Sequence, residues 1–104
     1  MFLGSVSYAH LARPYNLSVE VVNQCENPIA IHVENNQNSS LSYDLTLAAS
    51  THVSKNFSVT DDEEVYTLSY LSTSCKIDYA AARDNWNVSI VFSGCDKKPA
   101  CRMY

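Results

Sequence analysis

The sequence predicts an all-β fold, a small antiparallel β-sandwich of the immunoglobulin-like kind, with about seven strands tied by disulfides. Three observations support this. Seven Tyr, three Phe and one Trp accompany many Val, Ile and Thr residues, which suit a pleated, half-buried surface. Seven short segments alternate apolar and polar residues. Four cysteines in a chain of 104 residues are an even number, which favours two disulfides.

The seven alternating segments are the expected strands, in chain order. Apolar residues at every second position give a sheet one packed face and one solvated face. The alternating positions are Leu17, Val19 and Val21; Ile29, Ile31 and Val33; Leu41, Tyr43, Leu45 and Leu47; Val53, Phe57 and Val59; Tyr66, Leu68 and Tyr70; Cys75, Ile77 and Tyr79; and Trp86, Val88, Ile90 and Phe92.

The alternation also predicts the core. Trp86 belongs to the clearest alternating segment and is expected at the centre of the core, with Val88, Ile90 and Phe92 on the same face. The residues expected to face this strand are Leu17, Val19, Ile29, Ile31, Leu45 and Leu68.

The segments between the expected strands are polar turns. Only two Gly are present, so Asn and Asp, which tolerate left-handed conformations, must supply most of the turns. Glu26-Asn27-Pro28, Asn35–Asn38 and Asp61–Glu64 have this character. Ala80–Asn85 predicts a turn or a single helical turn.

Residues 1–15 are expected to form an N-terminal extension or the remnant of an export signal, followed by a single β-sandwich domain over residues 16–104. The apolar stretch Met1–Val6 precedes Ser7-Tyr8-Ala9, which has the small-x-small spacing of a signal-peptidase site. The stretch does not begin with the positive charge of a complete signal peptide, and a genuine first strand is the alternative. Pro14 cannot lie in a central strand, so the first core strand is expected after it.

Length and charge exclude several classes of protein. A chain of 104 residues forms one domain with one modest core, too short for a Rossmann or barrel enzyme with a separate substrate domain. No apolar run approaches the roughly 20 residues that span a bilayer, so no transmembrane segment is expected. Seven basic and eleven acidic residues give a net charge of −4, which argues against a nucleic-acid partner.

Cys25, Cys75, Cys95 and Cys101 are expected to form two disulfides, with zinc ligation and free buried thiols as alternatives. Their spacing contains no C-x-x-C knuckle, which a zinc ribbon needs. Of the three pairings, we favour Cys95–Cys101, because Asp96–Ala100 can turn tightly between them, with Cys25–Cys75 as the other bridge. Disulfides place the protein in an oxidising compartment, secreted or periplasmic.

Four Asn-x-Ser sequons begin at Asn16, Asn38, Asn56 and Asn87. Chance predicts roughly 1.6 of these N-glycosylation acceptor motifs, so four is a mild excess. Asn56 and Asn87 fall on the expected solvated faces of their strands. A eukaryotic glycoprotein and a bacterial exported protein rich in Asn and Ser both fit these counts.

The segment Val19–Cys25, followed by Pro28 and Ile29, resembles the opening strand of thaumatin-like proteins. In that family a similar Val-x-Asn-x-Cys run begins a β-sandwich. The resemblance covers this segment alone. The thaumatin-like proteins are longer than this chain and have many more cysteines. It implies no functional residue for this chain.

No catalytic constellation is found. The sequence has no Gly-x-Ser-x-Gly elbow, no Gly-rich phosphate loop and no His-Glu-x-x-His motif. His10, His32 and His52 show no metal-ligand spacing and are interpreted as surface residues. Asp61–Glu64 could offer oxygen ligands to Ca²⁺ but lacks EF-hand spacing, so it is interpreted as a solvated loop. We therefore expect no catalytic residue, no metal and no cofactor.

The candidate binding residues are Lys97, Lys98, Arg102 and Tyr104. A disulfide-closed basic loop can present charge to an acidic partner or a lipid phosphate at low entropic cost. An exposed Tyr adds contact area with little loss of entropy. A solvated connection and a frayed terminus are the simpler interpretations.

The first functional hypothesis is a secreted, non-enzymatic recognition module that binds a protein, a glycan or an anionic lipid headgroup, such as a bacterial virulence factor acting on a host. The alternative is a small disulfide-stabilised inhibitor of a hydrolase, either a protease or a lysozyme. A small hydrolase would instead need a deep polar pocket with a His beside a carboxylate. A structural subunit would show an unpaired hydrophobic edge strand.

Overall fold

The computed structural model describes residues 14–104, which form eight β-strands and one short α-helix. The strands are β1 (Tyr15–Asn23), β2 (Ile29–Asn35), β3 (Tyr43–Leu47), β4 (His52–Val59), β5 (Tyr66–Tyr70), β6 (Thr73–Ile77), β7 (Asn87–Ser93) and β8 (Ala100–Met103). The helix α1 covers Tyr79–Asp84, and a 3-10 turn covers Ser39–Leu41. The N-terminal extension expected for residues 1–15 lies outside the described residues except for Pro14 and Tyr15.

The strands form two four-stranded sheets, which confirms the all-β prediction. The first sheet has the order β4-β1-β7-β8, and the second has the order β3-β2-β5-β6. β1 is antiparallel to β4 but parallel to β7, with Val21 opposite Ile90, so the expectation of a wholly antiparallel architecture is wrong. Residues 14–104 contain eight strands rather than about seven, because β8 (Ala100–Met103) lies beyond the last alternating segment and none of its four residues is buried.

The core lies between the inner faces of the two sheets. Its largest fully buried side chains include Phe92, Leu17, Ile31, Leu68, Ile77 and Ile90. Ile31 and Leu68 face the first sheet, as expected. Leu17 and Val19 are buried too, but they lie in the same sheet as β7 rather than opposite it. Leu45 is only half-buried.

The prediction that Trp86 fills the core is wrong. Its side chain is 80% exposed. β7 begins at Asn87, so Trp86 precedes the strand, although its carbonyl oxygen still accepts a hydrogen bond from the Ser18 N–H at 3.0 Å. The helix α1, rather than Trp86, covers the end of the core at which β7 begins. It contacts β1 and β4 and buries Ala82.

Two disulfides are present, but the pairing that we favoured is wrong. Cys25 is bonded to Cys95, and Cys75 is bonded to Cys101, with Cα–Cα distances of 5.6 and 5.9 Å. The cause is the parallel pairing of β1 with β7, which brings the residues that follow these two strands together. The second bridge joins edge strands β6 and β8, and it closes one seam between the sheets.

Candidate functional site

Three loops meet at one end of the two sheets, which we call the loop end. They are the turn after β1 (residues 24–28), the turn before β4 (residues 48–51) and the hairpin loop between β7 and β8 (residues 94–99). They meet because β1 and β7 are parallel and both run towards this end, whereas the antiparallel β4 starts from it.

Asn23, the last residue of β1, holds the first two loops together. Its side chain is buried, with 1% of the residue exposed. Its Nδ2 atom donates to the carbonyl oxygens of Asn27 (3.0 Å), Leu47 (3.2 Å) and Ala48 (3.0 Å). Its Oδ1 atom accepts the Cys25 N–H at 2.8 Å. Because every polar atom of this buried amide is used, it fixes the backbone around it.

The disulfide Cys25–Cys95 attaches the hairpin to the same cluster. The carbonyl oxygen of Cys25 also accepts the Ser50 N–H at 2.9 Å, so this one residue contacts both of the other loops. The three loops are therefore joined by a covalent bond and by buried hydrogen bonds.

The hairpin has a fixed local conformation of its own. The Gly94 carbonyl oxygen accepts the N–H groups of Lys97 (3.3 Å) and Lys98 (3.1 Å). Gly94 has a φ of +74°, and a Cβ atom there would lie 1.8 Å from the Lys98 carbonyl oxygen. Only glycine fits this position, so the sequence itself specifies the turn that displays the two lysines.

A cavity of about 350 Å³ opens between the first turn and the hairpin. Amide, carboxylate and ammonium groups line this cavity, so it offers hydrogen-bond donors and acceptors and carries charges of both signs. Its lining residues are Gln24, Glu26, Asn27, Gly94, Cys95, Asp96 and Lys97.

The structure places the four candidate binding residues in two groups. Lys97 and Lys98 are exposed at the loop end. Arg102 is exposed on β8, opposite Val91 on β7. Tyr104 is 71% exposed and lies farther from the loop end, where its backbone N–H donates to the Ser89 carbonyl oxygen at 2.8 Å. Within residues 14–104, neither lysine nor Arg102 forms a salt bridge.

Sequence reasoning missed Asn23 and the turn at residues 24–28 as parts of this site. One signal was available, because Asn23 continues the inward-facing positions Leu17, Val19 and Val21. An amide at a core position must find hydrogen-bond partners, which marks it as an organiser of nearby loops.

A second cavity, of about 260 Å³, lies at the opposite seam, between the edge strands β3 and β4. Its lining residues are Ser40, Leu41, Ser42, Tyr43, Asn56, Phe57 and Tyr66. Burial raises the pKa of Tyr43 and of Tyr66 above the ordinary value for tyrosine. The Lys55 ammonium lies 5.8 Å from the centre of the Tyr43 ring.

The histidines described by the structure lie on strand surfaces. His32 Nδ1 is 2.8 Å from Asp44 Oδ1, and His52 Nε2 is 3.6 Å from Glu20 Oε2. Neither histidine lines one of the two cavities. His10 lies outside the described residues. Within residues 14–104, no cluster of three or more His, Cys, Asp or Glu residues is placed to hold a metal ion.

The acidic segment Asp61–Glu64 is not simply a solvated loop, because Glu64 is buried, with 4% exposed. Its Oε1 atom accepts the Thr60 N–H (2.7 Å) and hydroxyl (3.0 Å), and its Oε2 atom accepts the Asn35 Nδ2–H (2.7 Å). Glu64 therefore ties the end of β2 to the loop after β4, at what we call the far end of the sheets.

No protein-family model, curated protein or solved structure matches this chain. No helix within residues 14–104 has the length and apolar character needed to cross a membrane.

Proposed function

We propose that this chain is a non-enzymatic recognition module that binds its partner through the loop end. The observation that supports the proposal is the linkage of three loops by buried Asn23 and by Cys25–Cys95, beneath exposed Lys97 and Lys98. Loops that are ordered before binding lose little conformational entropy when the partner arrives. We take the two sheets as an immunoglobulin-like sandwich, in which loops cluster at the ends.

A secreted or periplasmic location belongs to the same proposal. Two disulfides persist best in an oxidising compartment, and here one of them joins parts of the proposed binding surface. In a reducing compartment the hairpin would lose its covalent attachment to the turn after β1.

Among a protein, a glycan and an anionic lipid headgroup, a protein is the favoured partner. Glu26 and Asp96 lie in the same cavity as Lys97. An anionic membrane would repel these two carboxylates, whereas a protein surface can present charges of both signs. Arg102 on β8, and Tyr104 just after this strand, extend the contact.

The test compares three forms of the oxidised protein as bait for partner capture read by mass spectrometry. They are the wild type, the double variant Lys97→Gln/Lys98→Gln, and the charge-matched control Lys55→Gln/Lys76→Gln, whose lysines lie away from the loop end. We expect a protein that the wild type and the control retain and the loop variant loses. Identical capture by all three forms, or capture of no protein by any of them, would contradict the proposal.

The hydrolase-inhibitor alternative is favoured by one observation, the fixed hairpin around Gly94 and Cys95, since a rigid loop is suited to occupy an active site. Inhibition assays against serine proteases and lysozymes distinguish it from the recognition module. An inhibitor is displaced from its enzyme by a small substrate analogue, whereas a partner bound elsewhere stays bound.

A further inference from the structure

Three of the four sequons lie together on the outer face of the first sheet, the face that points away from the core. In the strand register, Asn16 lies opposite Ser58, which completes the sequon of Asn56. Ser18, which completes the sequon of Asn16, lies between Asn56 on β4 and Asn87 on β7. Three motifs distant in sequence thus form one continuous patch.

The alternation of the strands explains the orientation of these motifs. The middle residues Leu17, Phe57 and Val88 are buried, with 0%, 2% and 6% exposed. Positions two apart on a strand share a face, so the Asn and Ser on either side of each middle residue point to the solvent. Only β1 lies between Asn56 on β4 and Asn87 on β7, so two inter-strand spacings, about 10 Å, separate the two residues.

The acceptor amides are accessible. Asn16, Asn56 and Asn87 are all exposed, and none of their side chains forms a hydrogen bond within residues 14–104. Asn38 differs, since its Oδ1 atom accepts the Ser40 N–H (3.0 Å) and hydroxyl (2.6 Å) at the start of the 3-10 turn, which is not part of the first sheet.

We propose that Asn56 and Asn87, with Asn16 beside them, carry N-linked glycans when the chain passes through a eukaryotic secretory pathway. The donor is a lipid-diphosphate-linked oligosaccharide. The Asn Nδ2 atom forms a bond to C1 of the first sugar and loses a proton, while the bond from C1 to the diphosphate oxygen breaks and the lipid diphosphate leaves. The glycans then cover the outer face of β4 and of the first halves of β1 and β7, and not the half of β8 that carries Arg102.

This placement has two consequences. Asn87 begins β7 whereas the hairpin follows its last residue, Ser93, so about 20 Å of strand separates the attachment point at Asn87 from the loop end. Asn56 lies on β4, an edge strand of the first sheet. A glycan there hinders another chain from pairing with this edge.

The test expresses the whole chain behind a secretion signal in eukaryotic cells. Peptide-N-glycosidase treatment in ¹⁸O-water converts each occupied Asn to labelled Asp, which peptide mass spectrometry locates. We expect label at Asn56 and at Asn87. Label at Asn38 alone would overturn the proposal, because it would show that the pathway glycosylates this chain outside the patch only. Label at no Asn would overturn it too.

Matched variants show which sequon carries each glycan. Ser58→Ala and Ser89→Ala each remove one motif but keep its Asn, and each should remove one glycan mass from the intact protein. Ser54→Ala changes a serine on β4 that belongs to no sequon and should leave the glycan mass unchanged. If Ser58→Ala and Ser89→Ala both leave the mass unchanged, the glycans are not on this face and the proposal fails.

Discussion

The loop end and the far end are each organised by a buried asparagine, but the interactions that hold the two ends are different. At each end a strand finishes in a buried asparagine, Asn23 on β1 and Asn35 on β2. Asn23 donates to backbone carbonyl oxygens, and a disulfide from Cys25 completes the loop end. Asn35 donates to the buried carboxylate of Glu64 at the far end.

This difference predicts that the two ends respond to different perturbations. The order of the loop end depends on a covalent bond, and therefore on redox state. The order of the far end depends on an acidic side chain that accepts three hydrogen bonds. A module of this design can lose the arrangement of its recognition loops while the far end keeps its structure.

The largest expected effect is the loss of Cys25–Cys95. This bridge spans 70 residues in sequence, and Cys75–Cys101 spans 26. From loop-closure entropy, Cys25→Ala/Cys95→Ala should lower the free energy of unfolding by about 4 kcal/mol, and Cys75→Ala/Cys101→Ala by slightly less. Urea unfolding measures both values.

Hydrogen exchange shows where each bridge acts. Removing Cys25–Cys95 should speed exchange in residues 24–28 and 94–99 and leave residues 60–65 protected. Removing Cys75–Cys101 should have little effect on residues 24–28, which makes it the control. Equal loosening of both ends by the first variant would show that the ends are not independent.

Glu64→Gln is expected to lower the stability less than the loss of either disulfide does. A Gln side chain places an NH₂ group where one carboxylate oxygen now accepts, against either Asn35 Nδ2 or the Thr60 N–H and hydroxyl. Whichever way the amide turns, a donor at the far end loses its acceptor. The cost should be about 2–3 kcal/mol. Its neighbour Glu63 is exposed, and Glu63→Gln should change stability by less than about 0.5 kcal/mol. Equal costs for the two substitutions in urea melts would contradict the buried position of Glu64.

Trp86→Ala should have a small effect, below about 1 kcal/mol, because an exposed side chain leaves no cavity when it is truncated. Phe92→Ala is the matched comparison, since Phe92 is fully buried, and it should cost about 3–5 kcal/mol. Thermal or urea unfolding that ranks Trp86→Ala above Phe92→Ala would place the tryptophan in the core after all.

Lys97→Gln/Lys98→Gln should have the smallest effect on stability, within about 0.5 kcal/mol, since both side chains are exposed. Its effect should appear in binding. The Debye length falls from about 10 Å at 0.1 M salt to about 3 Å at 1 M, so wild-type association should weaken with salt and the variant should show a flatter slope. Surface plasmon resonance with the captured partner measures both slopes, and equal slopes would exclude the lysines from the contact.

Local sequence patterns encode the strands of this chain better than they encode where each strand begins. Alternation identified seven of the strands, because burial of one sheet face constrains every second residue. Trp86 continued the same alternation but precedes the first residue of β7, and periodicity alone does not mark where a strand begins. β8 escaped detection because none of its four residues is buried, so burial imposes no alternation on it.

The candidate site was harder to predict than the strands. Lys97 and Lys98 were found from their charge and from the nearby cysteines. The turn that faces them comes from the opposite part of the chain, and it reaches them only because β1 lies parallel to β7. Glu64 resembled its exposed acidic neighbours in the sequence, since its burial depends on Asn35, which is 29 residues away.

The arrangement of the loop end is tested most directly by a peptide map of the oxidised protein under non-reducing conditions. The intact chain should weigh four hydrogens less than the reduced chain, as two disulfides require. The map should join the peptide that contains Cys25 to the peptide that contains Cys95, and Cys75 to Cys101. Links between Cys25 and Cys75 and between Cys95 and Cys101 would separate the hairpin from the turn after β1 and contradict the proposed recognition surface.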